Sequence, residues 1–259
     1  MTSTLDKKIE QDRYDNRAKK ISLLDDNEIK NSSIPLFLQP PINEYYKQLL
    51  KYLPFAKNVL ELCCGTGENS AILFTENSNK NIYCTDISVY SLKVVKEKFD
   101  FYNQNNLGGG QLITSIADIE NLPFEKNKFD IVCCAGGMSY GDPKIYINEI
   151  LRVLKPGGYY IAVDSLNDNP IYKFNRWLHY LKGNRTKSTL INMPTSKLIN
   201  KLKKLFTNTK VFYYGSLIWV APLLKILFGD EKTLNVINYF DKLIKVKKSA
   251  FKFVILAKK

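Results

Sequence analysis

The stretch Val59-Leu60-Glu61-Leu62-Cys63-Cys64-Gly65-Thr66-Gly67-Glu68 runs from an apolar β-strand pattern into a glycine-rich turn. Glycines at this point allow a tight strand-to-helix turn and let a ligand approach the backbone closely. The helix expected after the turn presents free N–H groups and the positive end of its dipole. The stretch therefore predicts a nucleotide or carboxylate ligand at the end of the first strand.

A second acidic position follows the turn, because Asp86 closes the next apolar run. A carboxylate at the end of the second strand can accept both hydroxyls of a ribose, although a helix cap formed with Ser88 is also open. A dinucleotide-binding turn tolerates Ser70 as its third small residue but does not account for Glu61. A carboxylate at Glu61 would repel a pyrophosphate and attract an ammonium group. The pattern favours a nucleoside that carries an amino acid.

From about Lys57 onward, short β-rich runs alternate with helical patterns, which is typical of βαβ units in a parallel sheet. Strands are predicted at 58–62, 81–85, 111–115, 129–134, 159–164, 210–214 and 250–257. Helices are predicted at 12–24, 41–52, 88–102, 143–154, 171–181, 195–206, 217–228 and 233–247. The fold class expected from this order is α/β, with a doubly wound, mostly parallel seven-stranded sheet.

The composition is globular, with 45% hydrophobic and 24% charged residues among 259, and argues against disordered, collagenous or disulfide-stapled classes. The net charge of +13 is unevenly placed. Residues 1–169 hold 19 Lys and Arg against 22 Asp and Glu, whereas residues 170–259 hold 19 against 3. The basic last third predicts an anionic partner, which is a phosphorylated substrate, a membrane surface or nucleic acid.

Neither the first residues nor the apolar runs of the sequence predict export or membrane insertion. The first residues lack the apolar core of a secretory signal. The longest uncharged apolar run, Val211 to Leu224, has 14 residues, whereas a spanning helix needs about 20. The five cysteines lie in apolar segments without a C-x-x-C pair. We therefore expect a cytoplasmic protein with reduced thiols and no bound metal.

Five motifs follow one another along the chain. They are ELCCGTG at 61–67, Asp86, ADIENLPF at 117–124, FDIVCCAGG at 129–137 and LRVLKPGG at 151–158. This series resembles the class I S-adenosylmethionine-dependent methyltransferases, and the resemblance covers about residues 45–165. It implies a Rossmann-like fold and S-adenosylmethionine as cofactor, with S-adenosylhomocysteine as product. Cys63 departs from the pattern, since the family usually has glycine there.

The resemblance also implies which residues contact the cofactor. Glu61 would lie near the methionine ammonium, Asp86 on the ribose and Asp118 on the adenine amine, although Asp118 also fits a turn residue. The full predicted set is Tyr14, Glu61, Leu62, Cys63, Gly65, Thr66, Gly67, Asp86, Ile87, Asp118, Ile119 and Ala135. Residues 53–259 would form the methyltransferase domain, with substrate-side insertions at about 166–194 and 215–248, and residues 1–52 a helical lead-in or lid.

Three side chains are candidates for catalysis. His179, the sole histidine, lies in the insertion after the fifth strand and suits a general base, although an ordinary surface histidine explains it equally well. Tyr140 and Asp142 follow the fourth strand and are rival candidates. That segment lacks the N-P-P-Y signature of enzymes that methylate nucleobase or amide nitrogen, which counts against DNA as a partner.

The two insertions contain the residues that are predicted to bind the methyl acceptor. Arg176 and Arg185 are candidates for binding the phosphates of a nucleotide sugar or lipid-linked sugar, and a solvated basic face is the alternative. Residues 216–228 are too apolar for an ordinary surface. They either pack over the acceptor, with Trp219 as a contact, or touch a membrane peripherally. The sequence leaves the oligomeric state open.

The function favoured by these observations is methylation of a small molecule by a bacterial-type enzyme, at an oxygen of a sugar, nucleotide sugar or lipid-like intermediate. RNA methylation is a second hypothesis, because the last third is basic, but no RNA-binding module is recognisable. A non-catalytic scaffold is the third, and the intact Gly65, Gly67, Asp86 and Asp118 count against it.

Overall fold

A seven-stranded β-sheet forms the centre of the protein in a computed structural model, which describes residues 4–21, 39–75, 80–243 and 247–259. The strands are β1 Asn58–Leu62, β2 Asn81–Asp86, β3 Gln111–Ile116, β4 Phe129–Ala135, β5 Leu154–Ser165, β6 Asn208–Tyr214 and β7 Lys252–Lys258. Their order is β3-β2-β1-β4-β5-β7-β6. Neighbours among β1 to β5 are parallel, whereas β7 is antiparallel to β5 and β6. The predicted doubly wound, Rossmann-like sheet is confirmed.

Helices cover both faces of this sheet. They are α1 Thr4–Ile21, α2 Gln39–Tyr52, α3 Ala71–Thr75, α4 Val89–Gln104, α5 Pro143–Val153, α6 Pro170–Leu181, α7 Lys187–Ile191, α8 Ser196–Leu205 and α9 Ala221–Leu243. Side-chain caps fix several starts, as where Ser88 accepts a hydrogen bond from Ser91 N at 3.0 Å ahead of α4. Asn169 caps α6 in the same way and precedes Pro170 at the first helical position.

The core has two layers because the central strands are buried on both faces. Along β1, Leu60 and Leu62 pack into the layer that contains α5 and α8, whereas Val59 packs into the layer with α2 and α4. Parallel strands covered on both faces read as nearly continuous apolar runs. This burial explains why the β-rich runs were visible in the sequence.

Three predicted elements differ from the structure. Helix α1 begins at Thr4, well before the predicted residue 12, and residues 22–24 of that prediction lie outside the described residues. Strand β5 begins at Leu154 and includes the segment KPGG that was predicted to end a helix. The helices predicted at 217–228 and 233–247 correspond to two helical stretches of α9, which are separated by the non-helical Gly229 with a φ of 74°, but the first stretch begins at Ala221 and not at residue 217. Residues 244–246 of the second prediction lie outside the described residues.

Candidate active site

A cleft opens where the strand order reverses. β1 has β2 on one side and β4 on the other, so successive crossovers leave a crevice at the carboxyl ends of these strands. Nine predicted residues line it: Tyr14, Cys63, Gly65, Asp86, Ile87, Asp118, Ile119, Ala135 and Tyr140. Ten further residues were not predicted: Asp6, Lys7, Glu10, Arg17, Cys64, Glu68, Asn69, Gly136, Ser188 and Thr189.

The glycine-rich turn forms the floor of the cleft. Cys64 N donates to Thr85 O at 3.0 Å, which ties the turn to the end of β2. Gly65 has a φ of 54°, and a Cβ built on it would have no protein atom within 4 Å. The space beside Gly65 is therefore open to a ligand, and a side chain there would occupy it.

Cys63 takes a backbone conformation that usually belongs to glycine. Its φ is 51°, in the left-handed region, which costs an ordinary residue about 1–2 kcal/mol. Its side chain has room because Gly137 lies opposite. A Cβ on Gly137 would come within 2.6 Å of Cys63 Cβ and 2.8 Å of Cys134 Sγ. The bare backbone at Gly137 thus accommodates the departure at Cys63.

Asp86 is a buried carboxylate, 7% exposed, at the end of β2. Its Oδ2 accepts from Gly65 N and its Oδ1 from Ser88 N, both at 2.9 Å. Burial raises the pKa of Asp86, while these backbone N–H groups oppose the rise. Asp86 therefore joins the glycine-rich turn to the start of α4 and also lines the cleft. The structural role beside Ser88 is therefore seen, and the contact with a ribose stays a prediction.

Asp118 lies on the other wall of the cleft and is paired with α1. Its Oδ1 accepts from Glu120 N at 3.0 Å, and its Oδ2 pairs with Lys7 Nζ. Lys7 also contacts Glu120 at 2.6 Å. The pKa of Lys7 shifts upward because these two carboxylates outweigh the opposing effect of burial. Ile119, next along the wall, is 4% exposed.

Helix α1 crosses the cleft and bonds to both of its sides. On the sheet side, Gln11 Nε2 donates to Ile87 O at 3.0 Å, and Arg17 pairs with Glu68 at 3.2 Å. On the insertion side, Thr186 Oγ1 donates to the buried Glu10 at 2.9 Å. The α1 residues that line the cleft are Asp6, Lys7, Glu10, Tyr14 and Arg17. Their spacing of three or four residues on one polar helix face was the signal that sequence reasoning missed.

Tyr14 and Tyr140 meet where α1 faces the end of β4. Their hydroxyl groups are hydrogen-bonded, and their rings lie edge to face with centroids 5.6 Å apart. Burial raises the pKa of each phenol, and the rise is large at Tyr140. Both therefore stay protonated near neutral pH. The structure favours Tyr140 as a hydrogen-bonding group, and its role as an acceptor-binding residue or a base stays a prediction.

Glu61 is not among the residues that line the cleft, and its contact with an ammonium group stays a prediction. The residue is 2% exposed, and its carboxylate accepts from Ser70 Oγ on the far side of the turn. Cys84 Sγ lies 3.7 Å from the same oxygen. Burial raises the pKa of Glu61 to about 7. Leu62, Thr66 and Gly67 are also absent from the lining, and their cofactor contacts stay predictions.

Asp142 caps a helix and does not line the cleft, and its catalytic role stays a prediction. Its Oδ1 accepts from Lys144 N at 2.8 Å at the start of α5. This hydrogen bond lowers the pKa of Asp142 and so holds the group in its charged form. His179 is exposed, with Nδ1 3.4 Å from Asn184 Nδ2, and borders a second cavity beside the cleft rather than the cleft itself.

Two of the three predicted acceptor contacts lie elsewhere. Arg176 is 5% exposed because α6 turns it inward, where its Nη1 donates to Leu166 O at 2.7 Å and Asn167 Oδ1 at 2.9 Å. Trp219 is 42% exposed and lines neither cavity, so residues 216–228 do not roof the cleft. Arg185 borders the second cavity together with His179.

Parts of this chain are similar to a known family and to curated relatives. Residues 60–162 match the family described as a methyltransferase domain. A demethylmenaquinone methyltransferase of Listeria welshimeri is 31% identical over 148 residues, which cover 53% of this chain and 59% of the relative. A demethylmenaquinone methyltransferase of Leptospira interrogans is 33% identical over 109 residues, which cover 41% of this chain and 42% of the relative. Residues 60–162 therefore resemble the methyltransferase domain of class I S-adenosylmethionine-dependent methyltransferases.

Solved structures of methyltransferases share this fold. A geranyl diphosphate C-methyltransferase from Streptomyces coelicolor superposes with a TM-score of 0.56 at 12% identity, covering 84% of this chain and 78% of that one. A putative sarcosine dimethylglycine methyltransferase from Galdieria sulphuraria superposes with a TM-score of 0.54 at 18% identity, and 83% of each chain is covered. At these identities the likeness concerns the fold alone. The chain spans less than two thirds of the length of the curated relatives quoted above.

Two features are absent from the described residues, namely a membrane-spanning helix and a cluster of metal ligands. In the described part of the chain, no helix combines the length and apolar character needed to cross a membrane. Across the same residues, no group of three or more His, Cys, Asp and Glu side chains is arranged to hold a metal ion. The cytoplasmic location and the absence of a bound metal stay predictions.

Proposed function

We propose that this chain binds S-adenosylmethionine in the cleft and transfers its methyl group to a small molecule. The observation that carries the proposal is the open space beside Gly65, bounded by Asp86 on one strand end and Asp118 on the next. A second glycine at the cleft, Gly136, would also have no protein atom within 4 Å of a built Cβ. The chain's residues thus fit a ligand that lies against the backbone, at the position where this fold binds nucleosides.

Two carboxylates would contact the cofactor, and a third would position the turn beside it. Asp86 offers a buried carboxylate that lines the cleft and can accept hydrogen bonds from ribose hydroxyls. Asp118 offers its remaining lone pairs beside Lys7. Glu61 acts as a positioning residue, because it holds Ser70 and so fixes the turn that carries Gly65. When bound, S-adenosylmethionine would supply an electrophilic methyl group on its sulfonium.

Alignment of the acceptor and exclusion of water are the main tasks left to the protein. Helix α1 lies across the cleft and is bonded to both walls, so it shields the cleft from solvent. The Tyr14–Tyr140 pair presents neutral phenols at the end of β4, where they can donate to or accept from an acceptor oxygen. This arrangement orients an acceptor and does not itself remove a proton.

For the acceptor, we propose a lipid-like small molecule of the quinone type. The support is the name of the curated relatives, which are demethylmenaquinone methyltransferases. Apolar side chains exposed near the end of the chain agree with a lipid-like acceptor and peripheral membrane contact, as at Ile226 and Leu227, which are 83% and 63% exposed. The names of the relatives quoted above do not mention a sugar, and a sugar acceptor is the second candidate.

Transfer of label from S-adenosylmethionine tests the proposal. Purified protein is incubated with methyl-labelled cofactor and separate pools of quinone precursors, lipid-linked sugars, nucleotide sugars and bulk RNA. We expect label in a quinone-type or other lipid-like product. Label in RNA with inert small molecules would reject the small-molecule assignment. Cofactor binding without transfer to any pool would favour a scaffold.

A further inference from the structure

A second cavity borders the cleft and is rich in positive charge. Arg13, Arg17 and Arg185 each bring a guanidinium group to it. His179, Asn184 and the Tyr14–Tyr140 pair complete the lining, which contains no carboxylate. We call it the cationic cavity. Because Tyr14, Arg17 and Tyr140 line both spaces, the cationic cavity and the cleft are neighbours.

The guanidinium groups of this cavity are only partly neutralised. Arg17 pairs with Glu68 at 3.2 Å, but both side chains are more than half exposed, so the pair is weak. Arg13 is held more firmly, by Glu10 on its own helix and by Asn184 O at 2.6 Å. Arg185 makes no ion pair with any carboxylate in the described parts of the chain. The cavity therefore has a positive potential.

Further positive charge lies behind Arg185. Burial lowers the pKa of Arg176 to about 10, and the neighbouring charge of Arg185 adds to that effect. The pKa of Lys252 is lowered by burial, against the opposing effect of Asp164, and further by Arg176 and Arg185. One nitrogen of Arg176, Nη2, is buried without a hydrogen-bond partner within the described residues. These groups repel one another, and an anion beside them would relieve that repulsion.

We propose that the cationic cavity holds an anionic group of the methyl acceptor, a phosphate or a carboxylate. Guanidinium groups bind such anions through paired, charge-assisted hydrogen bonds. Since the Tyr14–Tyr140 pair borders both spaces, an acceptor anchored at Arg185 reaches past the two phenols into the cleft. This inference rests on the proposed function and narrows the acceptor to molecules that carry an acidic group. The site differs from the predicted pair Arg176 and Arg185, because helix α1 supplies two of its three arginines.

Binding of inorganic phosphate tests the cavity without requiring methyl transfer. Phosphate is titrated into the protein by calorimetry at constant ionic strength, with and without S-adenosylhomocysteine. Arg185→Ala should weaken phosphate binding by about tenfold, the value expected for loss of one charged hydrogen-bonding partner. Lys201→Ala is the matched control, because Lys201 is an exposed cation on α8 that lines neither cavity. Equal phosphate binding by all three proteins, or none by the wild type, would overturn the proposal.

Steady-state kinetics then separate an acidic group of the acceptor from a free anion. With the acceptor found by the labelling screen, phosphate and Arg185→Ala should each raise the acceptor KM and leave kcat and cofactor affinity unchanged. Phosphate that binds but does not alter the acceptor KM would assign the cavity to a free anion and reject the acceptor role. Failure of every protein to bind S-adenosylmethionine would reject the proposed function and leave the phosphate result standing.

Discussion

Replacing Glu61 with glutamine should remove part of the pH dependence of stability. Burial raises the pKa of Glu61 to about 7, whereas the usual pKa of an exposed glutamic acid is 4.5. The folded protein therefore binds this proton more tightly than the unfolded chain does. The resulting stabilisation is complete below the unfolded pKa and is lost as the pH rises through the folded pKa.

The size of this effect follows from the two pKa values. With 4.5 in the unfolded chain and about 7 in the fold, linkage gives a loss of about 2 kcal/mol in the free energy of unfolding between about pH 5.5 and pH 8.5. Glu61→Gln keeps the shape of the side chain and an oxygen that accepts from Ser70 Oγ, but it cannot titrate. Its stability should therefore fall less over this range.

Urea denaturation at the two pH values measures the difference. The matched control is Glu125→Gln, which removes an exposed carboxyl from the loop before β4. The pH-dependent loss of stability should be smaller by about 2 kcal/mol in Glu61→Gln than in the wild type, and should be unchanged in the control. Equal losses in the wild type and Glu61→Gln would show that Glu61 titrates like an exposed group, which refutes its buried placement.

Two further substitutions probe the site. Asp86→Ala should weaken S-adenosylmethionine binding by about 1–3 kcal/mol in calorimetry, because the ribose hydroxyls lose a charged acceptor; an unchanged affinity would leave Asp86 as a structural residue of the turn. Gly137→Ala should destabilise the fold by about 1–3 kcal/mol in denaturant unfolding, since its Cβ would lie 2.6 Å from Cys63 Cβ. The same change in a Cys63→Gly background should cost less, and equal costs would show that the two positions are not in contact.

The strands of the sheet could be predicted because strands buried on both faces have nearly continuous apolar sequences. Strands β1 to β4 begin where their apolar runs begin and end within one residue of the prediction. The doubly wound order followed from alternation of strands and helices. Helix α1 was placed too late because it has little apolar periodicity. It is held by polar contacts, such as Gln11 to Ile87 O, whose partners are remote in sequence.

Two predicted site residues, Glu61 and Arg176, lie away from the cleft, and in both cases the cause is the direction of the side chain. Glu61 stands one residue before Leu62 at the end of β1, and strand alternation turns its carboxylate towards Ser70 and away from the cleft. On α6 the buried residues are Tyr172 and Arg176. The apolar residues of that helix face outward: Ile171, Phe174, Trp177 and Leu181 are exposed. From the helical pattern alone, these apolar residues would be expected to face the protein core.

The central claim is that S-adenosylmethionine lies against the glycine-rich turn, and one calorimetric comparison tests it most directly. Gly65→Ala adds a methyl group to the open space of the cleft, where no protein atom lies within 4 Å. Gly157→Ala is the control, because Gly157 also has a positive φ and is nearly free of neighbours but lies at the amino end of β5, away from the cleft. The wild type and Gly157→Ala should bind the cofactor alike, and Gly65→Ala should bind it at least about tenfold more weakly. Absence of binding by the wild type, or equal affinity in all three proteins, would contradict the account.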